Sequence, residues 1–202
     1  KNRISKNWIN KQRRDIYVRQ SKIEGYRSRA VYKLREINDK FKILKNGQSI
    51  VDLGGAPGSW SQYLSSTLKN TKLLAIDLLE IQEITNVKII KGDFTEDIYK
   101  KKIKSFFNTK IDLVISDMAV NTTGNKNVDA IVTGELAMES IEFAKEILKI
   151  NGQFVTKIFV GSSFNEIVSK SKKYFKETSV FKPPSSRKDS KETFLISKFL
   201  RP

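Results

Sequence analysis

The chain has 202 residues, 39% of them hydrophobic, with 38 Lys/Arg against 22 Asp/Glu and a formal net charge of +16. That length suits one domain with a full core, and no run approaches the roughly 18–20 apolar residues that span a bilayer. Cysteine and histidine are both absent, which excludes disulfides, Cys/His zinc sites, cysteine nucleophiles and a histidine base. Acid–base chemistry must come from Lys, Asp, Glu or Tyr. No metal site is assigned, although carboxylate-held magnesium stays open.

The charge is uneven. Residues 1–35 carry twelve Lys/Arg and two acids, residues 170–191 carry eight and two, and the stretch between is nearly neutral. Two basic ends around a neutral centre point to a polyanion, most simply nucleic acid. A Lys-rich bias with solvated side chains is the bland alternative.

Residues 1–25 read as a basic arm with a short helix. The arm has no apolar h-region, which argues against a secretory signal, and no acid as far as Arg14, so a leftover targeting segment stays open. Residues 26–202 read as one catalytic domain. A helix is predicted over 28–39, with Ala30, Val31, Leu34 and Ile37 on one face and Lys33 at its edge. Then strand and helix patterns alternate: strand 49–52, helix 59–68, strands 72–77 and 87–91, helix 97–107, strand 111–116, helix 135–148, strand 153–159 and helix 165–175. Strands 177–182 and 193–200 close the chain around Pro183-Pro184. This alternation predicts a Rossmann-like α/β fold: a mostly parallel seven-stranded sheet, an antiparallel last strand and helices on both faces.

Four loops at strand ends carry the chemistry. The loop Asp52-Leu53-Gly54-Gly55-Ala56-Pro57-Gly58 lets backbone approach a ligand closely, at the corner where doubly wound sheets bind nucleotide-like molecules. Its glycine spacing is not G-x-G-x-x-G, which argues against a dinucleotide. Asp77, at the second strand end, can accept both hydroxyls of a ribose. Asp93, at the third, can accept an adenine amino group. Asp117 ends the fourth strand. Lys157, inside an apolar strand, either snorkels to solvent or pairs with Asp117. Glu192, alone, is an ordinary surface residue.

These residues resemble the FtsJ (RrmJ) family of S-adenosylmethionine-dependent ribosomal RNA 2′-O-ribose methyltransferases. The resemblance covers nearly the whole chain. It runs through Gly25-Tyr26-Arg27-Ser28-Arg29-Ala30, Tyr32-Lys33-Leu34, the glycine loop with Ser59-Trp60-Ser61-Gln62, and Gly92-Asp93-Phe94. It continues through Ser116-Asp117-Met118-Ala119, Val155-Thr156-Lys157, Lys182-Pro183 and Ser185-Ser186-Arg187. It implies a class I methyltransferase with the catalytic tetrad Lys33, Asp117, Lys157 and Glu192. The family's cofactor positions would be Gly58, Trp60, Asp77, Asp93 and Asp117, to which the reading of the glycine loop adds Asp52 and Gly54. Val120 stands where the family commonly has proline.

The implied reaction moves a methyl group from S-adenosylmethionine to a ribose 2′-hydroxyl, most simply a uridine of large-subunit rRNA, leaving S-adenosylhomocysteine. Lys157 acts on the hydroxyl, as base or as orienting cation. Tyr26, Tyr32 and Trp8 are candidates for stacking on unpaired bases. The implied partner is RNA, as rRNA within a ribosomal subunit or its precursor. No membrane is implied, and the chain is expected to be a monomer. Methylation of tRNA or of a cap ribose, and a non-catalytic RNA-binding assembly factor, are the alternatives. The expected setting is intracellular: a bacterial cytoplasm, or a eukaryotic mitochondrion or nucleolus.

Overall fold

The computed structural model describes residues 15–118, 126–161 and 163–202. The readings at Trp8, at the first fourteen arm residues and at Val120 lie outside the described residues. The elements run α1 (Ile16–Ile23), α2 (Ala30–Phe41), β1 (Ser49–Leu53), α3 (Ser59–Thr67), β2 (Lys72–Asp77), β3 (Val87–Lys91), α4 (Asp97–Phe107), β4 (Ile111–Ser116), α5 (Lys126–Ile147), β5 (Leu148–Phe159), α6 (Phe164–Tyr174), β6 (Phe175–Phe181) and β7 (Glu192–Leu200).

The strands form one seven-stranded sheet in the order β3-β2-β1-β4-β5-β7-β6. β1 to β5 run parallel, and β7 lies antiparallel between β5 and β6. Strands covered on both faces need apolar residues on both, and the sequence supplies neighbouring pairs. Ile50, Leu73 and Leu113 pack with Leu34, Ile37, Trp60 and Leu64 of α2 and α3. Their neighbours Val51, Leu74 and Val114 pack with Ile103, Ile141 and Ile167 of α4, α5 and α6. The period-2 alternation of a strand sends each pair to opposite sides, and each such fully buried side chain contributes about 1.5–3 kcal/mol.

Two boundaries differ by five residues or more from those predicted. α5 begins at Lys126, nine residues before the expected Glu135, and contains Gly134. A Cβ at Gly134 would stand 2.9 Å from the Ser163 side chain, so this glycine serves close packing rather than a helix end. β5 begins at Leu148, not Gln153. β4 advances from Ile111 to Leu113 while β5 advances from Leu148 to Gln153, and the extra residues form an irregularity with Asn151 at φ 65°. Such a bulge breaks the apolar alternation that marks a strand.

The consequence for function is positional. β1 has β2 on one side and β4 on the other, so the strand order reverses there. The loops after β1, β2, β3 and β4 leave the same edge of the sheet, beside the crevice that such a reversal opens.

Candidate active site

The loop after β1 and the ends of β2, β3 and β4 enclose a cavity of about 520 Å³, within the usual range of small-molecule sites. It is lined by Gly54, Ala56, Asp77, Leu78, Leu79, Gly92, Asp93, Phe94, Asp117 and Met118, with Ile76 below and Val132 and Leu136 from α5. Gly54 has φ 74°, and a Cβ there would lie 2.1 Å from the Met118 side chain. Only glycine lets the loop close against the β4 end.

Two of the strand-end acids are braced by backbone N–H groups. Asp77 accepts from the N–H of Ala56 at 2.9 Å and of Leu79 at 2.8 Å, one on each oxygen, and each oxygen keeps a lone pair for another donor. Asp93 accepts from Thr95 N at 2.9 Å and Thr95 Oγ1 at 2.7 Å, both on Oδ1. The lining therefore holds three carboxylates and no Lys or Arg. Such a cavity suits a ligand that is cationic and rich in hydroxyl and amino donors, and it repels a pyrophosphate. Among the described residues no group of three or more acids could hold a metal ion.

Asp117 joins this cavity to a second cluster. Its carboxylate lies 2.9 Å from Lys157 Nζ and 3.6 Å from Lys33 Nζ. Lys157 Nζ also donates to the Asp117 carbonyl at 2.6 Å. Lys33 Nζ reaches Glu192 at 2.8 Å. So α2, the β4 end, β5 and the start of β7 each contribute one charge, alternating in sign along the chain of contacts. Lys157 is only 7% exposed, a position tolerable for a charge because it is paired. Asp117 is pushed up by burial, but the neighbouring Lys157 and Lys33 outweigh this and hold it below the ordinary aspartate range. Burial pulls the Lys33 ammonium down, yet Asp117 and Glu192 leave it raised.

Asp52 is buried at the end of β1, takes a hydrogen bond from Ser61 Oγ at 2.8 Å, and does not line the cavity. Burial first, then Asp117 and Asp77, push its carboxyl up to about 7 from an ordinary 3.8. The folded protein therefore takes up a proton there that the unfolded chain releases, and stability falls as pH rises through that window. Asp52→Asn cannot ionise. Its stability relative to the unmodified protein should rise between pH 5 and pH 8 by on the order of a few kcal/mol, read as a growing difference in melting temperature. A difference flat across that range would contradict the assignment.

Gly54, Asp77, Asp93 and Asp117 are thus brought together, as are Lys33, Asp117, Lys157 and Glu192. Besides Asp52, two further expected cofactor positions stand apart from the cavity lining. Gly58, at φ 112°, faces Arg27 and Ile84. Trp60 is 3% exposed, donates its indole N–H to the Ala30 carbonyl at 2.7 Å and packs on Phe194. Tyr32 is buried against Tyr17, which removes it as a stacking platform for bases.

Several working residues were given no role by the sequence. Arg27 donates to the carbonyls of Pro57, Gln82 and Glu83 and so pins the glycine loop. Asp15 caps α1 and pairs with both Arg29 and Arg187, so the two basic ends meet at one acid. Glu36 receives the backbone and hydroxyl of Ser185.

The family model for FtsJ-like methyltransferase matches residues 26–199. The chain is 64% identical over 201 residues to a ribosomal RNA large subunit methyltransferase E of Pelagibacter ubique, covering 100% of this chain and 99% of the relative. It is 46% identical over 199 residues to a protein of the same description from Rickettsia akari, covering 96% and 88%. It is also similar to a crystal structure described as a ribosomal RNA methyltransferase from Plasmodium falciparum, with a TM-score of 0.78 and 33% identity over 87% of this chain and 98% of that one.

Proposed function

The chain belongs to the FtsJ-like methyltransferase family, and on that premise we propose that it transfers a methyl group from S-adenosylmethionine to a ribose 2′-hydroxyl of large-subunit ribosomal RNA. One observation carries the reading: Asp117 both lines the acid-rich cavity and holds Lys157 at 2.9 Å. The donor half and the acceptor half of the reaction share a side chain.

The cavity's chemistry fits the donor. S-Adenosylmethionine bears a sulfonium, an ammonium, ribose hydroxyls and an adenine amino group, and three carboxylates with no cation match these. Asp77 would take the ribose hydroxyls, Asp93 the adenine amino group and Asp117 the positive end, while Leu79, Phe94 and Met118 cover the apolar faces. Bound there, the donor supplies an electrophilic methyl on sulfur and departs as S-adenosylhomocysteine.

Lys157 is placed to hold the 2′-oxygen in line with that methyl at about 3 Å and to ease loss of its proton as the new C–O bond forms. Asp117 fixes Lys157 through two contacts to one ammonium. Lys33 and Glu192 close the array, balancing charge so that neither lysine faces the RNA backbone unpaired. Arg187, Lys188 and Lys191 follow Ser186 and precede Glu192, which places positive charge beside the site for RNA phosphates. No described helix is long and apolar enough to cross a membrane. Residues 26–202 act as one catalytic domain with 1–25 as its arm, working as a monomer on rRNA in a ribosomal subunit or precursor. Similarity to bacterial relatives favours a bacterial cytoplasm.

A thermal-shift experiment tests the cofactor. S-Adenosylhomocysteine at about 100 times its Kd should stabilise the protein by about 2.7 kcal/mol, and NAD should leave the melting temperature unchanged. Stabilisation by NAD, or none by S-adenosylhomocysteine, would overturn the reading.

A further inference from the structure

Lys33 and Glu36 lie three residues apart on α2 and so share a face. Both are tied to the connection between β6 and β7, through different residues. Glu36 accepts from Ser185 N at 3.1 and 2.9 Å and from Ser185 Oγ at 2.6 Å. The next residue, Ser186, donates from Oγ to Glu192 Oε1 at 2.8 Å. Glu192 Oε2 then takes Lys33 Nζ at 2.8 Å. The circuit closes on the helix where it began. Both serines are buried, Ser185 at 1% and Ser186 at 6% exposure.

A buried hydroxyl is costly unless bonded, and here each serine delivers its bond to a carboxylate. The two ends of the circuit fix different things. Glu36 fixes where the connection sits against α2. Ser186 fixes the rotation of the Glu192 carboxylate, by occupying the oxygen that Lys33 does not. Without it, Glu192 can swing both oxygens to Lys33 or turn to Arg29, whose guanidinium already donates to the Ser185 carbonyl.

We propose that Glu36 and Ser186 are positioning residues for methyl transfer, holding the Glu192–Lys33 pair in register with Asp117 and Lys157. The inference rests on the ribose-methylation reading. Ser186 touches no substrate in this account and acts only through Glu192.

The test is a kcat and KM comparison on rRNA for Ser186→Ala, Ser186→Thr, Glu192→Gln and the double variant Ser186→Ala/Glu192→Gln. Ser186→Ala should lose about ten- to a hundredfold in kcat, the scale of a small misplacement at a reacting centre. KM for RNA should stay within about twofold, since uniform binding is untouched. Ser186→Thr keeps the hydroxyl and should recover most of the rate. In the Glu192→Gln background, Ser186→Ala should cost nothing further, because residues acting as a unit are not additive. Glu36→Gln keeps one acceptor oxygen and should show a smaller loss of the same kind. A retained thermal shift with S-adenosylhomocysteine certifies each variant as folded. Full rate in Ser186→Ala, or a loss that multiplies with that of Glu192→Gln, overturns the inference while leaving the reaction intact. A wild-type chain that transfers no methyl overturns the reaction and the inference together.

Discussion

Replacing Lys157 with alanine is expected to lower the rate of methyl transfer by about 10²–10⁴-fold, the usual contribution of a positioned acid–base group, while S-adenosylhomocysteine still binds. The separation follows from the geometry. Lys157 is absent from the cavity lining, and its ammonium is engaged by the carboxylate and the carbonyl of Asp117. Losing it removes the group nearest the expected 2′-hydroxyl without touching Asp77 or Asp93. Asp117 keeps Lys33 at 3.6 Å, so one charge still balances it and the fold should persist. Single-turnover transfer and a binding isotherm, run on the same preparation, read the two effects separately. Turnover within about tenfold of wild type would remove Lys157 from the mechanism.

Asp117→Ala should fail in a different way, losing both transfer and stability. Lys33 and Lys157 would face each other at a largely buried site with no acid between them, and only Glu192 would remain, on the far side of Lys33. Breaking a buried pair by removing one partner costs about 3–5 kcal/mol, which for a chain of this size lowers the melting temperature by on the order of 10 °C. The sign with pH is defined. Lys157 and Lys33 hold Asp117 below its ordinary 3.8, so its stabilisation is complete above that value and fades as pH falls through and below it. The gap between wild type and Asp117→Ala should therefore narrow in strong acid. A variant that melts with wild type at pH 7 would show that the charges are not coupled.

The parts of this site that the sequence displayed share a cause. A parallel sheet sends the ends of successive strands to one edge, so Asp77, Asp93 and Asp117 meet because each follows an apolar run of strand length. Lys157 stood out because a lone charge interrupts such a run. The tetrad as a set came through resemblance, since nothing local marks Lys33 or Glu192.

Glu36 and Asp15 were invisible, and Ser186 showed only as part of a resembling motif, for a physical reason. Their partners are Ser185, Glu192, Arg29 and Arg187, and the contacts that give them meaning exist only after α1, α2 and the β6–β7 connection have packed. Glu36 and Ser185 are 149 positions apart in the chain. Trp60 shows a different case: it lies beside the glycine loop, and α3 turns its indole into the core beneath α2. The helix α5 was expected to begin only at Glu135, just after Gly134, a poor helix former that the structure uses for contact with Ser163.

The proposed reaction methylates a ribose oxygen of large-subunit ribosomal RNA. The most direct measurement is a nucleotide-resolution map of 2′-O-methylation in total rRNA from cells with and without the protein. The expected result is loss of 2′-O-methylation in large-subunit rRNA, restored by the wild-type chain and not by Lys157→Ala. An unchanged map, or loss of a methyl group from a base instead, would contradict it.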